Sequence, residues 1–495
     1  MKKLLDQIDK KIWLLLIASF VISVVFMLFA SPYTTPLNEY YGFDSAVFMV
    51  LGRGLAEGKL PYLELYDNKG PMIFLVDALG WMMGGRLGLF FLQCIFMTFV
   101  LALAYRLVRL FADRSWAWLG LAVFAFLYCG TVGEGNMTEE WSLLFTLLPL
   151  YMALRYLRSG RRIAEHPLWY SLIYGLCMGV QFMFRVTNAF PLCGMILAFL
   201  ILLIREKGFK ALWLNALVVL GGIVIVVAPF VVYYKAVGAY DLFIYATLLH
   251  NFSYATGGAA AKTLADWLYM AARISMTPAV IVLSVILVRK KRLACSEAVL
   301  IGCVSVLGAF AMCFGYSYKH YFLLLAPAIL ASFGLCLEGI CRSGLEKGRE
   351  RLACLLLALF CVLPYAPQSA IHAGKSILFN FCGYLDSDVA SMREIDSYIT
   401  DHRDSVWGYD VKANMYMYLD VVPCFRYFTT QSWMAQDTPF MQTEIEEMLE
   451  TDPPYWILTD GSPELREWIT GSYDYELAAA VDEGLCPRLY RYTGK

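Results

Sequence analysis

Charged side chains that could do chemistry gather at one end of the long apolar segments of this 495-residue chain. A charge beside a membrane-spanning helix is costly, so its presence there indicates a function. The set mixes carboxylates, which accept protons, with cations, which hold phosphate groups. Such a mixture fits the headgroup of an anionic lipid, with a carboxylate acting on a neighbouring hydroxyl. The set comprises Asp44, Glu64, Asp67, Lys69, Glu134, Glu139, Glu140, Arg185, Lys319 and His320.

The elements that must position these side chains are apolar helices. Hydrophobic residues make up 59% of the chain and charged residues only 16%, whereas soluble domains contain roughly 25% charged residues. The composition therefore excludes an ordinary soluble protein and predicts a polytopic α-helical membrane protein, because about 20 apolar residues cross the hydrocarbon core as a helix. We predict eleven spans, at 12–30, 87–111, 116–133, 138–156, 168–184, 187–204, 211–233, 267–288, 295–315, 320–340 and 352–368.

The distribution of basic residues predicts the orientation of these spans. If the N-terminus is cytoplasmic, the inner segments carry 22 Lys and Arg residues and the outer segments carry 8. Cytoplasmic loops are enriched in Lys and Arg, so this arrangement fits a multi-pass protein of the cell membrane. The first outer loop, 31–86, and the chain after the last span then lie outside the cytoplasm. All the charged candidates fall at the outer ends of the helices.

The last part of the chain, 369–495, differs from the membrane part, 1–368, in charge and in pattern. From residue 367 onward the net charge is −12, whereas the preceding part carries +11. Helix and strand signals alternate there: helices near 389–399 and 444–450 and from Pro463, and strands near 405–408, 455–459, 475–480 and 488–492. The sequence therefore predicts an extracytoplasmic α/β domain. Its three cysteines have no disulfide or zinc spacing.

Several segments resemble those of a known enzyme class in their order and spacing. They are 41–46, which contains Asp44, then 54–62, 66–71, 138–140, 184–185 and 318–327. Together they resemble the GT-C membrane glycosyltransferases, in particular the bacterial protein-mannosyltransferase and aminoarabinose-transferase-like branch. The resemblance covers most of the membrane part and, loosely, the tail, and it implies a GT-C-like fold.

The resemblance also implies a reaction. Such an enzyme transfers a sugar from a polyprenyl phosphate to an extracytoplasmic glycan, lipid or protein acceptor, with inversion. By this resemblance Asp44 is the general base, and Lys69, Arg185, Lys319 and His320 bind the donor phosphate. Asp67, Glu139 and Glu140 are possible substrate contacts. Many relatives carry a second acidic residue next to the one that Asp44 matches, but Ser45 and Ala46 follow here. We therefore expect no metal and no cofactor.

Other readings of the same residues remain open. Asp44 could cap the helix at 45–56, Lys69 could be a turn residue, and Glu139 and Glu140 could stabilise a helix dipole. The side chain of Arg185 could extend to the membrane–water interface. Lys319 and His320 could be anchors at that interface, among the neighbouring tyrosines. The alternative function is a transporter or flippase of a lipid-linked saccharide, and a third reading is a scaffold whose tail binds a partner. A net charge of −1 gives no reason to expect nucleic acid binding.

Overall fold

The chain forms a bundle of apolar helices followed by a small α/β unit. The computed structural model describes residues 10–251, 253, 262–290, 294–314, 318–383, 387–435, 438, 440–460 and 463–494. The helices of the first part are α1 (Lys10–Ala30), α2 (Phe43–Ala56), α3 (Pro71–Met82), α4 (Arg86–Arg109), α5 (Arg114–Thr131), α6 (Thr138–Arg158), α7 (Leu168–Phe184), α8 (Phe190–Arg205), α9 (Phe209–Ala236), α10 (Tyr240–Ile244), α11 (Leu264–Ile274), α12 (Met276–Arg289), α13 (Cys295–Ala311), α14 (Ala326–Cys341), α15 (Lys347–Val362) and α16 (Ala366–Phe381). Each of the eleven predicted spans overlaps at least one of these helices.

Some of these helices are long and apolar enough to cross a bilayer on their own. Four segments of the described chain meet that test by length and composition: Arg86–Arg109, Val186–Arg205, Phe209–Ala236 and Lys319–Cys341. Two bent pairs raise the number to six, and one of them joins α15 to α16 at an angle of 71°. Shorter apolar helices, such as α7 and α13, accompany them. The total of eleven spans stays a prediction.

The first long loop folds into two short helices, α2 and α3. Gly42 precedes α2 in an extended conformation, and Pro71 occupies the first turn of α3, where its missing N–H costs nothing. The apolar face of 45–56 predicts short helices in this loop that lie along the membrane surface, and α2 follows that segment closely. Their position relative to the membrane surface stays a prediction.

The tail forms a four-stranded mixed sheet with helices around it. Its helices are α17 (Ser387–Asp396), α18 (Asn414–Leu419), α19 (Gln431–Met434), α20 (Met441–Thr451) and α21 (Pro463–Ser472), and its strands are β1 (Val406–Tyr409), β2 (Trp456–Thr459), β3 (Tyr475–Ala480) and β4 (Arg488–Tyr492). The strand order is β1-β2-β4-β3. β1 and β2 are parallel, and the other pairs are antiparallel. The four strands and the helices α17, α20 and α21 match predicted elements, whereas the short helices α18 and α19 were not predicted.

The tail packs on the first loop through one continuous hydrophobic core. Phe74 of α3, Trp407 of β1 and Tyr490 of β4 are all buried in that cluster. The backbone N–H of Tyr66 donates to the carbonyl of Arg426 at 2.9 Å, which fixes the loop against the tail. The loop and the tail therefore form one body over one end of the helix bundle.

Polar side chains of α16 hold the C-terminal end of α1. His372, Ser376 and Asn380 are spaced four residues apart, so they share one face of α16. They contact the carbonyl oxygens of residues 30, 29 and 28, each at 2.6 Å. The last carbonyls of a helix lack partners within it, so this face of α16 satisfies them. All 14 cysteines are free thiols in the structure.

Candidate active site

Asp44 lies in the first turn of α2, and its side chain makes no cap of that helix. The residue before α2 is Gly42, and no side-chain cap is formed there. Glu134 takes that role from the loop between α5 and α6, because its Oε2 accepts a hydrogen bond from the backbone N–H of Ser45 at 3.2 Å. The capping alternative for Asp44 is therefore wrong. Its carboxylate stays exposed at the end of the helix.

Glu134 places a second carboxylate beside Asp44, from a distant part of the sequence. Burial and the negative charge of Asp44 raise the pKa of Glu134 from its ordinary value of 4.5 to about 7, although the backbone N–H groups of residues 43–45 oppose that rise. A Cβ at Gly42 would lie 2.2 Å from Oε2 of Glu134, so glycine is required for this approach. Asp44 has no acidic neighbour in sequence, but it has one in space.

Two cavities meet at Asp44. Cavity one has a volume of about 140 Å³ and lies between α2, the segment 67–69 and the tail. Cavity two has a volume of about 350 Å³ and lies between the ends of α5 and α16 and the loop that carries Glu134. The residues that line both cavities are Phe43, Asp44, Met137, Tyr318 and His320. Asp44 can therefore reach a molecule in either cavity.

Each cavity is lined by two lysines. Lys69 and Lys412 line cavity one, and the ammonium group of Lys412 lies 4.1 Å from the centroid of the Phe43 ring. Lys319 and Lys375 line cavity two. Sequence analysis identified Lys69 and Lys319 but missed Lys375, which lies just past the last predicted span, and Lys412, which lies in the tail. No local signal marks either lysine, because only tertiary packing brings them to the cavities.

Hydrogen bonds within the chain fix the segment around Lys69. Its Nζ donates to Oδ1 of Asn68 at 2.5 Å, and its backbone N–H donates to Oδ1 of Asp67 at 2.8 Å. The N–H of Gly70 donates to the carbonyl of Phe184 at 3.0 Å. A Cβ at Gly70 would lie 2.1 Å from the carbonyl oxygen of Met183, so only glycine allows this approach. Asp67 lines cavity one while it orders the turn.

Arg185 does not line either cavity. Its Nη1 forms an ion pair with Oε1 of Glu139 at 3.1 Å, and its guanidinium stacks on the ring of Tyr321 at 4.2 Å. Both members of the pair are buried. Tyr321 itself lines cavity one, so the pair supports that wall from behind. The four residues predicted to hold one phosphate therefore do not share one cavity.

Glu140 belongs to a buried polar network instead of a cavity wall. Its carboxylate accepts hydrogen bonds from the backbone N–H of Asn136 at 2.7 Å and from Nε2 of Gln93 at 3.2 Å. Asn136 in turn donates to Oδ1 of Asp77 at 2.7 Å. The network joins α3, α4 and α6 to the loop that carries Glu134. Glu140 therefore orders that loop.

Lys319 and His320 begin a short 3-10 segment, Lys319–Leu325, that leads into α14. The ring of His320 is buried and stacks on the ring of Tyr318, with centroids 5.6 Å apart. Among the described residues, no group of three or more His, Cys, Asp or Glu side chains is placed to hold a metal ion. The expectation that no metal takes part stays a prediction.

Comparisons with known proteins identify the fold. No family model matches the chain, and no curated protein matches it in sequence. Among solved structures, ArnT from Cupriavidus metallidurans bound to undecaprenyl phosphate superposes with a TM-score of 0.61 at 13% identity, over 98% of this chain and 99% of that chain. The Archaeoglobus fulgidus oligosaccharyltransferase tethered to an acceptor peptide superposes with a TM-score of 0.52 at 14% identity, over 90% of this chain and 69% of that chain.

Both of those proteins are GT-C fold glycosyltransferases, and this chain shares their fold. The predicted GT-C-like architecture is therefore confirmed.

Proposed function

We propose that the protein is an integral membrane glycosyltransferase that moves a sugar from a polyprenyl-phosphate donor to an acceptor, with Asp44 as the general base. The observation that carries this proposal is the position of Asp44 at the junction of two lysine-lined cavities. A two-substrate transfer needs such a junction. The fold, which it shares with an ArnT bound to undecaprenyl phosphate, supports a donor of that class.

Cavity one suits the donor. Lys69 and Lys412 supply positive charge for its phosphate, and Trp433 from α19 offers an aromatic face on which a sugar ring can stack. The Arg185–Glu139 pair lies behind this cavity. Its guanidinium stacks on Tyr321, both of its charges act on His320, and these two residues line the cavity. We therefore assign Lys69 to the donor phosphate and give Arg185 a positioning role. Glu139 then holds Arg185 in place.

The reaction is a single displacement. A hydroxyl oxygen of the acceptor, held in cavity two, forms a bond to the anomeric carbon while the bond from that carbon to the phosphate oxygen breaks. Asp44 takes the hydroxyl proton, and the polyprenyl phosphate leaves with the electron pair of the broken bond. Lys69 stabilises the charge that grows on the leaving group, and the anomeric carbon inverts. His320 borders both cavities and can donate a hydrogen bond to either substrate.

The site is proposed to face away from the cytoplasm. The support is the distribution of basic residues, with 22 on one set of interhelical segments and 8 on the other. The loop 31–86 belongs to the set with fewer basic residues. The tail packs on that loop, so it lies on the same side. We therefore propose that the protein lies in the cell membrane with a cytoplasmic N-terminus and an extracytoplasmic tail.

The test is a transfer assay with protein purified in detergent and a panel of polyprenyl-phosphate sugars. Asp44→Asn is expected to lower the rate by roughly 10²–10⁴-fold, the range for a general base. Because Asp44 is exposed, the variant should fold. The matched control is Asp113→Asn, an exposed residue before α5, which should keep full activity. Full activity of Asp44→Asn would remove the assignment, and the absence of transfer from every donor would favour the transport alternative.

A further inference from the structure

A third cavity lies between α7, α8 and α9, beside the half of α7 that is farther from Arg185. Its volume is about 330 Å³, and it shares no lining residue with cavity one or cavity two. We propose that this space, cavity three, binds a single-chain lipid alcohol, with the hydroxyl at its polar end and the hydrocarbon chain between α8 and α9. The site is separate from the proposed transfer reaction and takes no part in it.

Hydrogen-bonded side chains form the polar end of cavity three. Oγ of Ser171 donates to Oδ1 of Asn215 at 2.5 Å, and Nδ1 of His166 lies 3.2 Å from the same oxygen. Nε2 of His166 lies 3.2 Å from the hydroxyl of Tyr174. Ser171, Tyr174 and Asn215 line the cavity, and His166 joins them from behind. The hydroxyls of Ser171 and Tyr174 therefore belong to buried residues that face the cavity.

The chemistry of these groups assigns the direction of each hydrogen bond. Nδ2 of Asn215 donates to the carbonyl of Ala211 at 2.7 Å, so reversing the amide would place two oxygens against each other. Oδ1 of Asn215 can only accept, so Nδ1 of His166 carries the proton and Nε2 accepts from Tyr174. Burial lowers the pKa of His166 from 6.5 to about 4, so its ring is neutral near pH 7.

The assigned cluster keeps hydrogen-bonding capacity of both kinds for a ligand. In the part of the chain that the structure describes, the second N–H of Asn215 has no acceptor, and the hydroxyl oxygens of Ser171 and Tyr174 only donate. An alcohol both donates and accepts, so it matches this set. An ionised phosphate only accepts and brings a charge, whereas none of the described residues that line the cavity is charged. The polar end therefore favours an uncharged hydroxyl.

The rest of cavity three suits one hydrocarbon chain. Beyond the polar end all of its lining side chains are apolar, and on α9 they run from Leu212 to Ile223. That interval rises roughly 16 Å along the helix at 1.5 Å per residue, which is about half of the ~30 Å hydrocarbon core. Only 6% of the apolar window of α9 is buried. A lipid chain from one leaflet can therefore reach the cavity from the side.

Close packing of α7 and α9 leaves this space open toward α8. A Cβ at Gly175 would lie 2.1 Å from the carbonyl oxygen of Val219, and one at Gly222 would lie 2.7 Å from that of Leu172. The two backbones therefore approach each other directly, whereas α9 packs only lightly on α8. An empty apolar space loses the dispersion contacts of its lining, and a hydrocarbon chain restores them.

The experiment maps photo-labelling of the full-length protein in phosphatidylcholine nanodiscs, without any sugar donor. The probe is hexadecanol with a diazirine at mid-chain, and hexadecyl phosphate with the same diazirine is the charged comparison. Mass spectrometry locates the labelled residues. We expect hexadecanol to label the facing sides of α8 and α9, around Leu200 and Leu220, in a saturable way. The phosphate should label these positions about tenfold less, because cavity three holds no cation.

Variants separate the cavity from the lipid-facing surface. Ala216 is exposed and lines cavity three, so Ala216→Trp should fold, fill the space and lower hexadecanol labelling about tenfold. The matched control is Leu217→Trp at the next position, which is exposed but outside the lining, and it should leave labelling unchanged. Ser171→Ala removes one hydroxyl from the polar end and should weaken labelling about fivefold, the effect of one hydrogen bond.

Three results would overturn the inference. Even, unsaturable labelling along the exposed face of α9 would show contact with bulk lipid only. Equal labelling by hexadecyl phosphate would show that the polar end does not select an alcohol. Unchanged labelling in Ala216→Trp would place the probe outside cavity three. Because the assay contains no donor and no acceptor, its outcome is independent of whether the protein transfers a sugar.

Discussion

At the N-terminus of α2, two carboxylates have different roles. Glu134 accepts hydrogen bonds from the backbone N–H groups, and Asp44 stays exposed and lines both cavities. A carboxylate that caps its own helix is tied to that backbone, whereas one freed from capping can turn toward a substrate. The second acid therefore gives Asp44 the freedom that a general base needs.

The shifted pKa of Glu134 predicts a pH dependence of stability. Its pKa is raised from 4.5 to about 7, so between these values the folded protein holds a proton that the unfolded chain has released. The contribution of Glu134 to stability is therefore greatest below about pH 4.5 and is lost as the pH rises through 7, by up to about 3 kcal/mol. Glu134→Gln does not titrate and should reduce the slope of stability against pH by this contribution.

Thermal unfolding of the purified protein between pH 4.5 and 8 measures that slope. The control is Glu447→Gln, because Glu447 is exposed on α20 and its removal should leave the wild-type slope. A Glu134→Gln variant that keeps the same loss of stability between pH 5 and 8 would show that another group titrates.

At the scale of elements, α16 connects the membrane part to cavity two. The polar face of α16 satisfies the last carbonyls of α1. Lys375, the residue just before Ser376 on the same helix, lines cavity two. The helix begins after a bend of 71° from α15. One helix therefore both closes the bundle and supplies a cation to the site.

We predict that Ser376→Ala destabilises the protein by about 1–2 kcal/mol. The hydroxyl of Ser376 is buried and donates to the carbonyl of Phe29 at 2.6 Å. Its removal leaves that carbonyl without the partner that the end of a helix requires. Thermal unfolding measures the change, and Ser397→Ala, at an exposed serine with only a local bond, should shift the melting temperature much less. Equal shifts would contradict the prediction.

Many of the helices and strands could be predicted from the sequence alone. The strands near 475–480 and 488–492 and the apolar helices were predictable because periodicity and turn residues are local signals. The bend before α16 has a local signal, because Pro364 and Pro367 interrupt the apolar pattern there, but we placed the end of the last span and the domain boundary at 368. The boundary itself stays a prediction. At the site, Asp44 and Lys69 were recognisable by their segments, whereas Lys375 and Lys412 become site residues only through packing between distant segments.

At the scale of the whole molecule, charge is organised differently at the two ends of the bundle. The end with Asp44 carries cavities lined by lysines, whereas the opposite end of α6 carries a closed ion-pair network. There Arg158 pairs with Glu297 at 2.8 Å and with Glu338 at 2.9 Å, and Arg342 pairs with Glu338 at 2.7 Å. The network joins α6, α13 and α14, and its four charged side chains are paired within the protein.

We predict that Glu338→Gln lowers stability by about 3 kcal/mol, because it leaves a partly buried arginine with one carboxylate fewer. Transfer activity at permissive temperature should not change, since the network lies at the far end of the bundle from Asp44. Thermal unfolding and the transfer assay together test this separation. Glu346→Gln, at an exposed residue just before α15, is the control and should match wild type in both. A KM change in Glu338→Gln would show that the two ends are coupled.

The shared wall between the two cavities has a kinetic consequence. Because Asp44 and His320 face both spaces at once, donor and acceptor can be bound together before any bond changes. Initial rates measured at several concentrations of both should therefore give intersecting double-reciprocal lines, the pattern of a ternary complex. Parallel lines would instead mean that the sugar rests on the enzyme between two half-reactions, and Asp44 would then be a nucleophile.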